Sequence, residues 1–393
     1  MQSISISENK YLPHLLGVSI LVAFLLPHTS AVMMLANPLL CVLLVIANKE
    51  RTNYKEWYIV VIPILLSFIF SVNLDITYKA LERIAVILLY FICFPFVSKV
   101  KLSNVYLYIC LSVIIVSQLA YLLNIPFVTS FLDTYYPIPE ELEKSIGYIQ
   151  SGITRETIME YRLGGLYRGV NPCARFLNML LALYLINNSN KNIKKLIPFI
   201  VINFYGVLLT GSRSGFVVDV LLIISTIYIS GNLSKRWKKF LILGGAIAFV
   251  YTLFSESSDY RAFKVFDGFN DSASEKSSIF SDYLSNETSL IAYFFGHFDT
   301  NGTFFDSDYG DITYSFGFVG FIAILYYFYT IFRKIDKIGR IFFFILLWMY
   351  SATIVMSYRP LFAFMLLLST IYQNHKIHTS KGVFSKNEPN DSY

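Results

Sequence analysis

The sequence predicts an all-α fold, a polytopic integral membrane bundle of about 12 transmembrane helices. Three observations carry that reading. Of 393 residues, 55% are hydrophobic and 15% charged. A soluble domain carries roughly 25% charge, so this chain cannot cover an ordinary water-facing surface. The apolar residues come in blocks such as Ile109 to Leu123 and Ile341 to Met356, close to the length a bilayer-crossing helix needs. Basic residues collect in every second polar break, the pattern of the positive-inside rule. A soluble enzyme, a disordered chain and a disulfide scaffold are excluded.

Polar breaks set out the spans in order. The first, 12–27, follows Lys10 and has no small-residue cleavage site, so it reads as a retained span. Spans 31–47 and 57–72 flank the basic segment 49–55, and spans 80–98 and 103–123 flank Lys99 and Lys101. A long polar loop, 124–165, leads to the sixth span, 167–187. Segment 191–195 leads into 195–211, a small-residue turn into 214–231, and the basic 235–239 into 238–255. A second long loop, 256–312, precedes 313–332; segment 333–340 and a break at Arg359 then divide off 340–357 and 360–373. The polar tail is 374–393.

An inside N-terminus places Lys10, 49–55, Lys99, Lys101, 191–195, 235–239, 333–340 and the tail in the cytoplasm. These segments hold most of the 32 Lys and Arg and few of the 26 Asp and Glu. The expectation is a single integral membrane domain, 1–393, with both termini cytoplasmic and both long loops outside. Loops beyond about 12–15 residues tend to be functional or disordered, and two on one face suit an enzyme better than a transporter. In the first, Leu142, Ile146 and Ile149 follow Pro137-Ile138-Pro139-Glu140 at helical spacing, which predicts an amphipathic helix lying on the membrane. Cys41, Cys93, Cys110 and Cys173 fall in apolar blocks without metal-ligand spacing.

Arginines on the outer side disobey the charge rule. Arg168 precedes Asn171-Pro172, read as an N-cap with a helix-starting proline. Arg213 sits in Thr210-Gly211-Ser212-Arg213-Ser214-Gly215, and Arg359 precedes Pro360. All three mark the outer ends of helices running inward, where the dipole is positive and N–H groups are free. A bound anion resolves that conflict, and phosphate suits it because guanidinium binds it in paired fashion. The alternative is pairing with outside carboxylates or lipid phosphates. Arg162 belongs to the same neighbourhood. Arg175 and Asp219 lie inside their spans, where they either pair with each other or act directly.

His297, in Phe294-Phe295-Gly296-His297-Phe298-Asp299, is the histidine of the two long outer loops and a candidate for proton transfer near neutral pH. Asp299, Asp306, Asp308 and Asp311 are the carboxylates that offer an alternative base. No DxD, HExxH, GxSxG or Walker pattern occurs, so no metal or cofactor is expected.

Leu163-Gly164-Gly165-Leu166-Tyr167-Arg168-Gly169-Val170-Asn171-Pro172 resembles the segment leading into a core helix of the bacterial O-antigen polymerase and ligase superfamily. Leu208-Leu209-Thr210-Gly211-Ser212-Arg213-Ser214-Gly215-Phe216 is similar to its Thr/Ser-Arg-Ser/Gly turn, and Asp308-Tyr309-Gly310 through Gly320 to the segment closing its large periplasmic loop. The resemblance covers most of the chain. It implies a metal-independent glycosyltransferase of GT-C-like architecture at the periplasmic face of the bacterial inner membrane, acting on undecaprenyl-diphosphate-linked oligosaccharides. Ligases of the superfamily carry His-Asn where this chain reads Asp306-Ser307-Asp308-Tyr309, which favours the polymerase (Wzy-type) branch. The Arg-x10-Gly pattern of polymerase loops is only approximated, by Arg155 and Gly165. Arg162, Arg168, Arg213 and Arg359 would bind diphosphate, and His297, Asp299, Asp306 or Asp308 would take the acceptor's proton. Expected partners are the lipid-linked oligosaccharide, membrane lipids and a chain-length regulator, with no nucleic acid. A ligase, or a flippase for the same lipid, is the alternative.

Overall fold

The computed structural model describes residues 11–26, 31–47, 57–70, 78–97, 102–136, 163–167, 169–189, 193–229, 289–298, 308–335, 337–349 and 363–368, with residues 239, 278, 281, 283, 285, 287 and 361. All regular structure among them is helical. The helices are α1 (Leu12–Leu25), α2 (Ala31–Ala47), α3 (Tyr58–Phe70), α4 (Tyr78–Val97), α5 (Asn104–Leu122), α6 (Pro126–Tyr135) and α7 (Val170–Asn187). They continue with α8 (Ile197–Thr210), α9 (Arg213–Ile229), α10 (Leu290–Phe295), α11 (Asp308–Lys334) and α12 (Lys337–Met349).

Helices α1 to α5, α7 to α9, α11 and α12 coincide with ten of the predicted spans. Of these, α5 and the Tyr309–Lys334 stretch of α11 are long and apolar enough to cross a membrane. The ninth span, except Lys239, and half of the twelfth lie outside the described residues. So does the amphipathic helix expected at 142–149. The loops contain helices that the apolar-run reading passed over. Helix α6 begins at Pro126, whose missing N–H costs nothing at a first-turn position. Helix α11 starts at Asp308, ahead of the predicted 313, where Asp311 complements the positive dipole of its first turn.

Side-chain bonds tie the helix ends into two opposed layers. At one end Asn104 Oδ1 accepts from Asn187 Nδ2 (2.7 Å) and Asn188 Nδ2 (3.0 Å), joining the start of α5 to the end of α7. Nearby His14 Nδ1 meets Tyr106 Oη at 2.9 Å, joining the start of α1 to the same turn of α5. At the other end Tyr136 and Tyr167 donate to carbonyls at the end of α1. Helices α1 and α5 therefore run one way and α7 the other, as alternating spans require. The core between them is apolar and aromatic: Phe24 meets Phe176 edge-on, and Tyr184 stacks on Phe199 at 3.8 Å between centroids. All four cysteines are buried free thiols.

Candidate functional site

The starts of α7 and α9 are fastened together. A buried strap, Leu163 to Tyr167, leads into α7 along the ends of α5 and α8. Leu163 N donates to Leu209 O (2.9 Å) and Leu166 N to Ser117 Oγ (3.0 Å). Gln118 Nε2 donates both to Leu163 O and to Gly206 O, each at 3.0 Å. The Tyr167 ring stacks on Phe176 at 4.8 Å and its hydroxyl donates to Phe24 O at 2.6 Å. These bonds satisfy the strap's backbone within the fold, which is what makes a buried, irregular segment tolerable, although Gln118 Oε1 is buried without a partner.

Gly169, and not Asn171, is the N-cap of α7. The Asn171 side chain is used elsewhere: its Oδ1 accepts from Ser212 Oγ at 3.0 Å. Ser212 Oγ also accepts from Gly215 N at 3.3 Å, the bond an N-cap serine makes to the third helical residue. One hydroxyl therefore caps α9 and ties it to the first turn of α7. Asn178 Nδ2 donates to Gly215 O at 2.8 Å one turn further in. A Cβ on Gly215 would fall on the Cβ of Ala174, so glycine is what lets these two helices touch.

Arg213 opens α9; its side chain lies outside the described residues. Arg162, Arg168 and Arg359 lie outside them altogether, although the neighbours of Arg168, Tyr167 and Gly169, are both buried. The Arg175–Asp219 pair is not formed. Asp219 is fully buried, and neither carboxylate oxygen has a hydrogen-bond partner. The two residues lie on helices packed against each other, and spacing from the helix ends does not decide which way the side chains point.

His297 belongs to a second cluster, built by α3, α10 and the first part of α11. Helix α11 breaks at Gly317 (φ 65°, ψ −176°), and residues 296–298 lie along the break. His297 N donates to Tyr314 O and Phe298 N to Ser315 O, both at 2.8 Å. Gly296 also has positive φ; a Cβ on it would strike the 315–317 backbone, and one on Gly317 would strike Phe294. The crossing is main chain on main chain, and glycine on both sides permits it. Ser67 Oγ of α3 donates to the carbonyls of Phe295 and Ser315, closing the same knot.

The imidazole is thereby held in place. Its Nε2 meets Glu287 Oε2 at 2.8 Å, and its ring stacks on Tyr314 at 4.7 Å. Glu287 is itself fixed, with Oε1 accepting from Ser289 N at 2.8 Å. Tyr283 meets both rings edge-on. Burial, with the Glu287 carboxylate beside it, pushes the Tyr283 phenol up to about 12, so it stays neutral at physiological pH. Glu287 is the functional candidate the sequence reading missed; ten residues from His297, it lies beyond the spacings of three and four that one helix brings together.

Asp299 and Asp306 lie outside the described residues, and only the backbone of Asp308 lies within them. Asp311 is buried in the first turns of α11. Among the described residues no group of three His, Cys, Asp or Glu gathers closely enough to hold a metal. Comparison with protein-family models, curated proteins and solved structures finds no match to this chain.

Proposed function

We propose that the protein is a surface-polysaccharide (O-antigen) polymerase, a multi-pass enzyme of the bacterial inner membrane with both termini cytoplasmic. It would transfer a glycan chain from undecaprenyl diphosphate onto the next lipid-linked repeat unit at the outer face. The observation that supports this most is the bond between Ser212 and Asn171, which brings the N-terminal turns of α7 and α9 side by side. In the sequence, Arg168 directly precedes the N-cap of α7 and Arg213 opens α9. Two dipole ends side by side, each with an arginine next to it in the chain, suit a diphosphate.

In the reaction an acceptor hydroxyl oxygen bonds to the anomeric carbon while the bond from that carbon to the diphosphate oxygen breaks. Negative charge gathers on the departing diphosphate, where Arg168, Arg213, Arg162 and Arg359 stabilise it. The acceptor's proton passes to His297. Glu287 accepts a hydrogen bond from the Nε2–H of that ring, which leaves the lone pair on Nδ1.

The glycan profile of a strain lacking the gene tests the reading. Lipid carrying one repeat unit at the outer face is the expected result. Long chains stranded on undecaprenyl diphosphate would identify a ligase, and repeat units confined to the cytoplasmic leaflet a flippase.

A further inference from the structure

The first outer loop opens with a helix whose exposed side is aromatic. Helix α6 leaves the end of α5 through Asn124, a residue in the left-handed region (φ 51°), so the chain turns sharply where α5 stops. Phe127, Phe131 and Tyr135 recur every fourth residue along α6 and are 84%, 50% and 59% exposed. The opposite side is docked on the bundle, with Leu132 buried and Tyr136 Oη donating to Leu25 O at 2.7 Å. The single charge on the helix, Asp133, accepts from Tyr121 Oη of α5 at 3.0 Å.

We propose that this aromatic stripe lies in the outer leaflet of the bilayer, at the level of the headgroups and upper acyl chains. The exposed apolar face of α5 argues for lipid as the occupant. That face runs through Val105, Ile109, Val113 and Val116 on a helix long enough to cross a membrane. It continues past the helix end through Leu122 and Leu123, both exposed, to Phe127. The apolar face of α5 therefore continues, across the half-buried Leu119, into the stripe. Tyr135, an aromatic ring with a polar edge, suits that depth, and an amphipathic helix with Phe on its apolar side turned down is the form an interfacial segment takes. Helix α6 would then hold the outer end of α5 at a set depth. The inference does not rest on the polymerase reading.

Fluorescence quenching in vesicles tests it. The full chain, with Trp57, Trp237 and Trp348 replaced by Phe, carries Phe131→Trp as its one tryptophan. It is reconstituted in phosphatidylcholine–phosphatidylglycerol vesicles containing lipids brominated either near the headgroup or near the bilayer centre. Shallow bromines should cut its emission about two-fold and deep bromines less, with little effect of aqueous iodide. A parallel Val116→Trp protein should be quenched more strongly by the deeper bromines. Quenching of Val116→Trp but not of Phe131→Trp, with iodide reaching the latter, overturns the proposal. Emission of Phe131→Trp unmoved by bromine and iodide alike means that protein covers the stripe, and overturns it too. If neither protein is quenched by bromine, both the proposal and the membrane-spanning reading of α5 fail.

Discussion

Tyr136 and Tyr167 donate hydrogen bonds to adjacent carbonyls at the end of α1, Leu25 at 2.7 Å and Phe24 at 2.6 Å. The chain thus leaves for the long segment 137–162 and returns from it at the same turn of one helix. Because Tyr167 ends the strap that leads into α7, the bond also fixes the approach to that helix.

This relationship can be measured. Tyr167→Phe leaves a carbonyl in dry surroundings without its partner, a loss of about 1–3 kcal/mol, whereas Tyr136→Phe uncovers a wetter one at about 0.5–1.5 kcal/mol. The thermal midpoint in detergent should fall for both variants, and further for Tyr167→Phe. Equal midpoints for wild type and Tyr167→Phe would show that the strap is not held by this bond.

Arg213 tests the diphosphate site. A planar fork gripping paired phosphate oxygens is not replaced by a point charge. Arg213→Lys should lose most polymerisation, and Arg213→Ala slightly more, on the order of 10²–10³ in rate at normal expression. A fully active lysine variant would return Arg213 to a structural ion pair.

His297 and Glu287 are expected to act together. His297→Ala should reduce the rate by about 10²–10⁴ if the imidazole takes the acceptor's proton. Glu287→Gln should give an intermediate loss in kcat with KM little changed, because an amide can donate as well as accept and no longer selects one tautomer. Near-normal polymer from His297→Ala would remove the base; normal kcat from Glu287→Gln alone would remove only its orienting role.

Gly317→Ala should be more destructive than any loop substitution. It forces a conformation essentially reserved for glycine, costing about 1–3 kcal/mol, and drives a methyl group into the backbone at Phe294. The expected outcome is a lower thermal midpoint and lost activity together, read by fluorescence-monitored melting. A midpoint at the wild-type value would mean that the break in α11 relaxes.

Sidedness is open to cysteine labelling, since all four native cysteines are buried. Probes introduced near Glu141 and Asp271 should react from outside and one near Lys238 only after permeabilisation. Outside reaction at Lys238 would invert the protein and remove the case for misplaced arginines.

The long apolar helices are legible in the chain alone, whereas α6 and α10 are not. Apolar runs between polar breaks predict ten of the observed elements closely, from Leu12–Leu25 to Lys337–Met349, because a run of apolar side chains with satisfied backbone is stable only as a helix in that setting. The arginine-bearing turn was legible too, since its serine cap and glycines are local signals. What those turns touch is a property of the packed fold. That Ser212 reaches Asn171, that Asp219 does not pair with Arg175, and that Glu287 meets His297 depend on helix rotation and on chain crossings, as at Gly296 and Gly317. Side chains far apart in sequence meet according to packing, and no periodicity in a single chain encodes the angle at which two helices come together.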